Sequence, residues 1–231
     1  MRKSLQVSLV AVFAALHAVL YFVSFGLWRN WGVYLEAIEG IILGPRIGFL
    51  AAFLGSSIAR FIKPDPFWMF GIIAEPLSVL AAGLLARAKW KPVLALYAVM
   101  LSAYFIHPYG RALPIWTILD VLVALFLIYP TAMLSQKLFK KDAKHLSIAL
   151  ALISFICIAT DSLVRIFLLV PAGLYSLPDF PGTYDLLQAV FVGAAATSYV
   201  EDAIAVFISL IVGVPLLTSA LRLKILEEPT C

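Results

Sequence analysis

The chain has 231 residues, of which 63% are hydrophobic and 13% are charged. The charged share is about half of the roughly 25% found in an ordinary globular protein. So few charges could not cover the surface of a water-soluble fold, which excludes a sizeable soluble domain and predicts a polytopic membrane protein. The net charge of +4 does not indicate a nucleic-acid partner, because much of the basic charge lies in short clusters between apolar runs, where it sets orientation in a lipid bilayer.

Apolar runs follow one another along the whole chain. A membrane span needs about 20 residues, and continuous rather than alternating runs predict helices, which satisfy their own backbone hydrogen bonds in lipid. We therefore expect an all-α transmembrane bundle of six to eight segments, forming a single integral membrane domain over residues 1–231. The runs are Leu5–Leu27, Val33–Leu43, Ile47–Ile62, Phe67–Arg87, Pro92–His107, Leu113–Gln136, Leu146–Val170 and Leu186–Leu223.

The first run, Leu5–Leu27, follows the basic residues Arg2 and Lys3. That order is typical of a signal peptide, but the run is longer than the usual apolar stretch of about 7–15 residues. It ends in the bulky Phe22 and Phe25 without a small-residue cleavage site. We therefore expect an uncleaved first span.

Two runs, Val33–Leu43 and Ile47–Ile62, are shorter than ordinary spans and are separated by Gly44-Pro45-Arg46. Glycine and proline end a helix and turn the chain, so the pair is either a hairpin of short helices or one long helix broken at Pro45. The basic clusters require an even number of crossings before residue 87, which favours two short crossings with Arg46 on the cytoplasmic side.

Lysine and arginine clusters set the orientation of the predicted bundle. Such clusters accumulate on the cytoplasmic side of a membrane, whereas the segment Pro171–Asp185 contains neither residue. We expect a multi-pass protein of the cell membrane with both termini in the cytoplasm and Pro171–Asp185 outside. The clusters are Arg2–Lys3, Arg87–Lys91, Lys137–Lys144 and Arg222–Lys224.

Several ionisable residues fall inside the predicted spans. An ionisable side chain at membrane depth costs about 2.5–3.5 kcal/mol on insertion scales, so each one is a candidate functional residue. These residues are His17, Glu36, Glu39, Arg60, Glu75, Asp120, Asp161, Arg165, Glu201 and Asp202.

Helical depth predicts how some of these side chains pair. With about 1.5 Å of rise per residue, Glu36 and Arg60 fall near the outer end of the short helix pair. Asp120 and Arg165 both fall roughly 8–9 Å deep. We therefore expect two structural ion pairs, Glu36–Arg60 and Asp120–Arg165. Asp161 and Arg165 are also i,i+4 neighbours on one helix face.

The remaining carboxylates have no obvious cation. Glu75, Asp161 and His17 fall near the middle of the bilayer, at a depth of roughly 12–15 Å. An unpaired acid there is stabilised by a bound proton or by a cationic ligand. The pattern predicts an acidic pocket for a cationic or amine-bearing substrate, although a lone histidine is more typical of helix packing. The acids without an obvious partner are Glu39, Glu75, Asp161, Glu201 and Asp202.

Aromatic side chains gather near the predicted outer ends. Trp28 and Trp31 lie in the first outer loop, and Trp116 lies near another outer end. Tryptophans at such positions are typical of the interfacial belt of a membrane protein. Alternatively they stack on a planar ligand, and in that interpretation the segment Trp28–Gly32 is a lid.

Small residues recur at a spacing of four in two of the runs. Ala11 and Ala15 form one such row, and Gly44 and Gly48 form another. Rows of this kind let helices approach closely, either inside a bundle or against a partner protein.

The segment EGIILGPRIGFLAAFLG at 39–55 resembles the second and third helices of S-components, the substrate-binding proteins of energy-coupling factor (ECF) transporters. In that family a short helix reaches a cytoplasmic Gly-Pro-basic-x-Gly turn, and a helix with spaced glycines returns. The first run is similar to the family's alanine-rich helix, and Glu75–Arg87 resembles the helix that follows the pair. The resemblance covers residues 1–90, and its matching positions are Ala11, Ala15, Gly44, Pro45, Arg46, Gly48 and Gly55.

The resemblance implies a protein that captures a vitamin or another small metabolite from outside, under a lid formed by the first outer loop. It also implies docking, through the alanine row and the Gly-Pro turn, onto a transmembrane coupling subunit driven by a pair of ATPases. Independently, the chain lacks a GxxxxGK[ST] P-loop. Its cysteines, Cys157 and Cys231, have no metal-binding spacing. We therefore expect no catalysis, no cofactor and no metal.

Two other classes of function stay open. An intramembrane enzyme acting on a lipid-like substrate could use the buried acids and His17 as acid, base or metal ligands. Glu201-Asp202 is similar to the paired acids of intramembrane CAAX-type proteases, but Val206 stands where that family has arginine. A non-catalytic scaffold subunit would use the same charges as ion pairs or subunit contacts.

Cysteine labelling tests the predicted orientation. With Cys157 and Cys231 replaced by serine, a Thr183→Cys variant should react with a membrane-impermeant maleimide added outside intact cells. A Lys140→Cys variant should react only after the membrane is opened, because lysine-rich loops stay in the cytoplasm. Labelling of the Thr183→Cys variant that requires opened cells would contradict the orientation.

Overall fold

A computed structural model describes residues 3–23, 29–64, 67–136, 138, 143–178 and 182–223. All regular secondary structure in these ranges is helical, which confirms the all-α class. Short 3₁₀ segments occur at Trp31–Leu35, Ile115–Ile118 and Leu174–Ser176, and a π-helical turn at Ser209–Gly213 joins the last two helices. The α-helices are α1 (Lys3–Leu20), α2 (Glu36–Leu43), α3 (Pro45–Ile62), α4 (Trp68–Leu85), α5 (Trp90–Ile106), α6 (Pro108–Ala112), α7 (Leu119–Ser135), α8 (Ala143–Leu169), α9 (Tyr184–Ile208) and α10 (Val214–Arg222).

Within the described ranges, five helical stretches are long and apolar enough to cross a membrane, and α1 and α5 supply shorter apolar helices. The chain is therefore a multi-pass helical membrane protein. The eight residues of α2 extend only about 12 Å, well short of the roughly 30 Å hydrocarbon core. The five stretches are Pro45–Ile62, Trp68–Leu85, Ile115–Ser135, His145–Leu169 and Tyr184–Arg222.

Two predicted runs differ from the helices that form. The first run was expected to continue to Leu27, but α1 ends at Leu20 and a turn follows at Tyr21. The last run is broken by the π-helical turn before Pro215. Proline lacks a backbone N–H and its ring crowds the preceding turn, so the regular α-helical pattern changes there.

The centre of the bundle is built around α2 and α8. Every residue of α2 is buried, and α8 contributes fully buried side chains such as Ile153 and Ile156. A helix that is apolar on nearly all sides lies in the core. Large apolar side chains including Phe61, Ile106 and Phe126 are exposed on the outside, as expected of a surface in contact with lipid.

The chain turns sharply between α2 and α3. Gly44 ends α2 with φ +83°, a left-handed conformation that favours glycine. Pro45 is the first residue of α3, where its missing N–H has no helical partner to lose. The predicted Gly-Pro-broken helix pair is confirmed, but α3 is a full-length apolar helix of 18 residues and not a short crossing.

Glycines bring α2, α3 and α4 into backbone contact. A Cβ added to Gly83 of α4 would lie 2.7 Å from the Pro45 nitrogen and 2.9 Å from the Gly40 carbonyl oxygen. A Cβ on Gly48 would lie 2.8 Å from Val79 Cγ1, and one on Gly44 would crowd the Arg87 guanidinium at 2.5 Å. Gly44 and Gly48 are both buried, so they serve packing inside the chain, which argues against the docking role predicted for them.

The alanine row of α1 faces outward. Ala11 and Ala15 are exposed, whereas Ala14, about a quarter turn around the helix from this row, is buried against Gly55 of α3. A Cβ on Gly55 would approach the Ala14 carbonyl oxygen to 2.7 Å. Ala14 therefore provides the close approach of α1 to the bundle, and the predicted row of Ala11 and Ala15 is not used in this packing. Arg46, at the turn between α2 and α3, is also exposed.

Substitution of Gly83 tests the backbone contact. A Gly83→Ala variant should lower the free energy of unfolding by about 1–3 kcal/mol, because the added methyl meets backbone atoms that are not free to move aside. The measurement is reversible unfolding in mixed detergent. Gly193→Ala, in α9, is the matched control, because a Cβ there has nothing within 4 Å, and it should cause no loss. Equal effects of the two changes would contradict the close contact.

Candidate functional site: a buried ionic network

A network of charged side chains lies where α1, α2, α3, α4, α8 and α9 meet. Its carboxylates, His17 and two of its arginines are buried, and only Arg165 is partly open, with 27% of its side chain exposed. Together these groups form one ionic network. Its charged members are His17, Arg29, Glu36, Glu39, Arg60, Glu75, Asp161, Arg165 and Glu201, and Asn30, Ser56, Ser78 and Ser162 contribute polar groups.

Arg29 is the most fully engaged cation of the network. Its Nε donates to Asp161 Oδ2 at 2.7 Å, its Nη1 donates to Glu201 Oε2, and its Nη2 donates to Ser162 Oγ at 2.5 Å. Its backbone N–H donates to Glu201 Oε1 at 2.9 Å. One residue from the segment before the first 3₁₀ turn therefore connects α8 to α9.

Glu75 of α4 gathers donors from several other elements. Arg60 Nη2 lies 2.5 Å from Glu75 Oε1, Asn30 Nδ2 donates to the same oxygen at 3.1 Å, and Ser56 Oγ donates to Oε2. The Arg60 guanidinium fits because residue 71, one turn before Glu75, is glycine. A Cβ at Gly71 would overlap the guanidinium.

Arg165 connects Asp161 of α8 with Glu75 of α4. Its Nε donates to Asp161 Oδ2 at 2.7 Å and its Nη2 to Oδ1 at 3.1 Å, which confirms the predicted i,i+4 contact. The same Nη2 lies 3.9 Å from Glu75 Oε1. The carboxylates of α4 and α8 are thus connected through one guanidinium.

His17 of α1 lies between two carboxylates. Its Nε2 is 2.6 Å from Glu39 Oε2, and its Nδ1 is 3.8 Å from Glu75 Oε2. The nearby Glu36 receives a hydrogen bond on Oε2 from Ser78 Oγ. Among the described residues, Glu36 Oε1 and Glu39 Oε1 are buried oxygens without a hydrogen-bond partner.

A second group of acids lies beside a groove. Asp120 Oδ2 accepts a hydrogen bond from Ser198 Oγ at 3.1 Å, and Asp202 Oδ1 has no hydrogen-bond partner in the described part of the chain. Both line a mostly apolar groove of about 580 Å³ beside α7 and α9. Exposed Val123 and Phe207 also line this groove, which places it at the outer face of the bundle.

Both predicted ion pairs are wrong, because lateral packing of the helices, and not depth alone, determines the partners. Arg60 pairs with Glu75 and not with Glu36, which lies beside Ser78. Arg165 pairs with Asp161 and not with Asp120, which lies beside Ser198.

The acids predicted to lack a cation mostly have one. Glu75 faces Arg60, Asp161 faces Arg29 and Arg165, and Glu201 faces Arg29. Glu39 faces His17. The predicted middle layer of Glu75, Asp161 and His17 does form one connected group.

The predicted lid residues have different positions. Trp31 is half-buried and packs edge-on against Tyr34, with ring centroids 5.9 Å apart. Trp116 is exposed, and its carbonyl oxygen accepts a hydrogen bond from Tyr199. It belongs to the outer surface and not to the ionic network. Trp28 lies outside the described residues.

Sequence reasoning missed Arg29 and Asn30 as site residues. Both lie inside the segment predicted to be a lid, between Trp28 and Trp31, where polar side chains are typical of a loop. A charge balance was the available signal. The predicted spans held more acids than cations, and Arg29 is the basic residue of the first outer loop.

The described part of the bundle buries seven carboxylates against two arginines and one histidine, and a third arginine, Arg165, is partly exposed. The carboxylates of Glu36, Asp120 and Asp202 form no ion pair with an arginine or histidine among these residues. An excess of buried negative charge is stabilised by bound protons or by a bound cation. The arrangement can therefore hold a positively charged group in addition to its own arginines.

Comparison with known proteins identifies a relative without a stated activity. No family model and no solved structure matches the chain. The chain is similar to the uncharacterized protein MJ0923 of Methanocaldococcus jannaschii, with 31% identity over 131 residues, which are 56% of this chain and 44% of the relative. The chain thus matches less than half the length of that protein.

A double-mutant cycle tests the contact between Arg29 and Glu201. Arg29→Met should destabilise the fold by about 3–5 kcal/mol, because it leaves the buried carboxylate of Glu201 without its cation. Adding Glu201→Gln should recover part of this loss, giving a coupling energy above about 0.5 kcal/mol. Unfolding in mixed detergent measures each variant. Exposed Arg46 supplies the control, and Arg46→Met should couple to nothing in the network. Strict additivity of Arg29→Met and Glu201→Gln would show that the pair is absent.

Proposed function

We propose that the chain is the substrate-capturing subunit of a membrane uptake transporter, similar to the S-components of ECF transporters. In this proposal it binds a small cationic or amine-bearing metabolite at the ionic network, and separate ATPase subunits supply the energy. The observation that carries the proposal is the excess of buried carboxylates over arginines at the meeting point of six helices.

The segment that begins at Arg29 supports a lid role. Arg29 contacts Asp161 and Glu201, and Asn30 contacts Glu75, so the segment is attached to the bundle through the acids that would receive the substrate. A cationic substrate would compete with the Arg29 guanidinium for these oxygens. Exchange of one cation for another keeps the buried charge balanced, so substrate entry and release of the segment are coupled.

The outer face of α1 supports docking onto a coupling subunit. Ala11 and Ala15 are exposed and are not used to pack α1 onto the rest of the chain. Small side chains on a lipid-facing surface let another helix approach closely. Arg46, exposed at the Gly-Pro turn, would contribute to the same partner surface.

A scaffold subunit is the second candidate function. It is favoured by the dense hydrogen bonding of Arg29, because its backbone nitrogen and each of its three side-chain nitrogens donate to a partner inside the chain. A network that only fixes helix register would show the same saturation. The two candidates differ in one measurable respect, because a scaffold binds no small cation.

Ligand-dependent thermal unfolding tests the capture proposal. Purified protein is mixed with thiamine or spermidine as cations, biotin as an anion and riboflavin as a neutral solute. A cation at one hundred times its Kd should stabilise the fold by about 2.7 kcal/mol, whereas biotin and riboflavin should leave the midpoint unchanged. Asp161→Asn should reduce the cation-induced shift, and exposed Asp185→Asn should not. Stabilisation by biotin alone would reject capture of a cation. A wider panel of cations in which no member stabilises the protein would also reject it.

A further inference from the structure

Three buried side chains from three helices converge at one point of the ionic network. His17 of α1, Glu36 of α2 and Glu75 of α4 each offer one nitrogen or oxygen atom, and these atoms all lie within 4.8 Å of one another. All three side chains are almost completely buried. Protein ligands at about 2.0–2.2 Å from a zinc-like ion are separated from each other by roughly 3–4.4 Å, so only small adjustments would bring the three atoms onto one ion.

The histidine is oriented as a metal ligand is. Its Nε2 lies 2.6 Å from Glu39 Oε2, which leaves Nδ1 facing Glu75 Oε2 at 3.8 Å. The second distance is too long for a hydrogen bond but suits two donor atoms that share an ion. A carboxylate that accepts the second ring N–H of a metal-bound histidine fixes its tautomer and strengthens it as a ligand. Glu39 is in that position.

Glu36 supplies an independent observation that favours a bound cation there. Its Oε2 accepts from Ser78 Oγ, but its Oε1 has no partner among the described residues, although the side chain is fully buried. No arginine contact to this carboxylate occurs in the same ranges. A buried carboxylate oxygen left without a donor is costly, and a metal ion would satisfy it.

Glu75 can bind an ion through Oε2 while its other oxygen keeps its contacts with Arg60 and Asn30. Arg60 Nη2 and Asn30 Nδ2 both donate hydrogen bonds to Oε1, at 2.5 Å and 3.1 Å. Oε2 is the oxygen nearer to His17. Ser56 Oγ and, at 3.3 Å, Arg60 Nη1 also approach Oε2. Oε1 would therefore stay with Arg60, and Oε2 would turn from these donors towards the ion.

We propose that His17, Glu36 and Glu75 form a binding site for a divalent transition-metal ion, with Glu39 as the positioning residue of His17. One imidazole and two carboxylates are a donor set suited to zinc, cobalt or nickel rather than to calcium or magnesium, which prefer oxygen ligands alone. The carboxylates of Glu36 and Glu39, which form no ion pair with an arginine among the described residues, balance the charge of a divalent ion. The donors lie at positions 17, 36 and 75, a spacing that no sequence motif reports. This metal site does not depend on the proposed capture of an organic cation.

Metal titration of the purified chain tests the site. Protein with its affinity tag removed is stripped with a chelator and titrated with Co²⁺, whose visible absorption reports nitrogen and oxygen ligation. Zn²⁺ content is measured separately by mass spectrometry after gel filtration. We expect about one equivalent of metal per chain and a Co²⁺ spectrum that changes in a His17→Gln variant. His17→Gln and Glu36→Gln should each weaken Co²⁺ binding at least tenfold, and Glu39→Gln should weaken it by about 10–100-fold.

His107→Gln is the matched control, because His107 packs against Tyr109 and Tyr175, away from the network, and it should bind Co²⁺ as the parent does. Should His17→Gln fail to fold, the nearly isosteric Glu36→Gln carries the test. Substoichiometric metal, or equal affinity in the parent and Glu36→Gln, would overturn the proposal. No organic solute is present in this titration, so its failure leaves capture of an organic cation intact, and failure of the thermal panel leaves the metal site intact.

Discussion

The burial of carboxylates inside an apolar helical bundle is the constraint on which the rest of the structure depends. Each charge taken out of water must meet a counter-charge or a hydrogen-bond donor, or the fold loses several kcal/mol. The chain meets this requirement for Glu75, Asp161 and Glu201 by placing them around Arg29, Arg60 and Arg165 at one meeting point. Helices far apart in sequence are thereby fixed in mutual register.

Close helix packing makes this collection of charges possible. Gly40 and Gly83 allow the backbones of α2 and α4 to touch, and Ala14 and Gly55 do the same for α1 and α3. Gly71 leaves the volume that the Arg60 guanidinium occupies. Small residues therefore decide how near the carboxylates and arginines come to each other, although they carry no charge themselves.

The ionic network has two chemically different parts. Around Arg29, each carboxylate faces a guanidinium and the arginine's donors are used. Around His17, two carboxylate oxygens lack a partner in the described chain, and the imidazole stands between Glu39 and Glu75. The first part explains how a segment outside the helices is held onto the bundle. The second part is where an added positive charge would be most stabilising, because none of the described arginines forms an ion pair with Glu36.

The class of protein and the break in its helices follow from the amino-acid sequence alone. Composition and run length predict an all-α membrane bundle, and Gly44-Pro45 predicts the turn between α2 and α3, because both depend on local properties of the chain. Depth counting also placed Glu75, Asp161 and His17 in one layer, since rise per residue is fixed in a helix. Only the tertiary structure decided which charges pair. Arg60 lies with Glu75 and not with Glu36, and Arg29 enters the core from a predicted loop, because partners at equal depth are chosen by the rotation and lateral packing of helices, which one helix's own sequence does not specify.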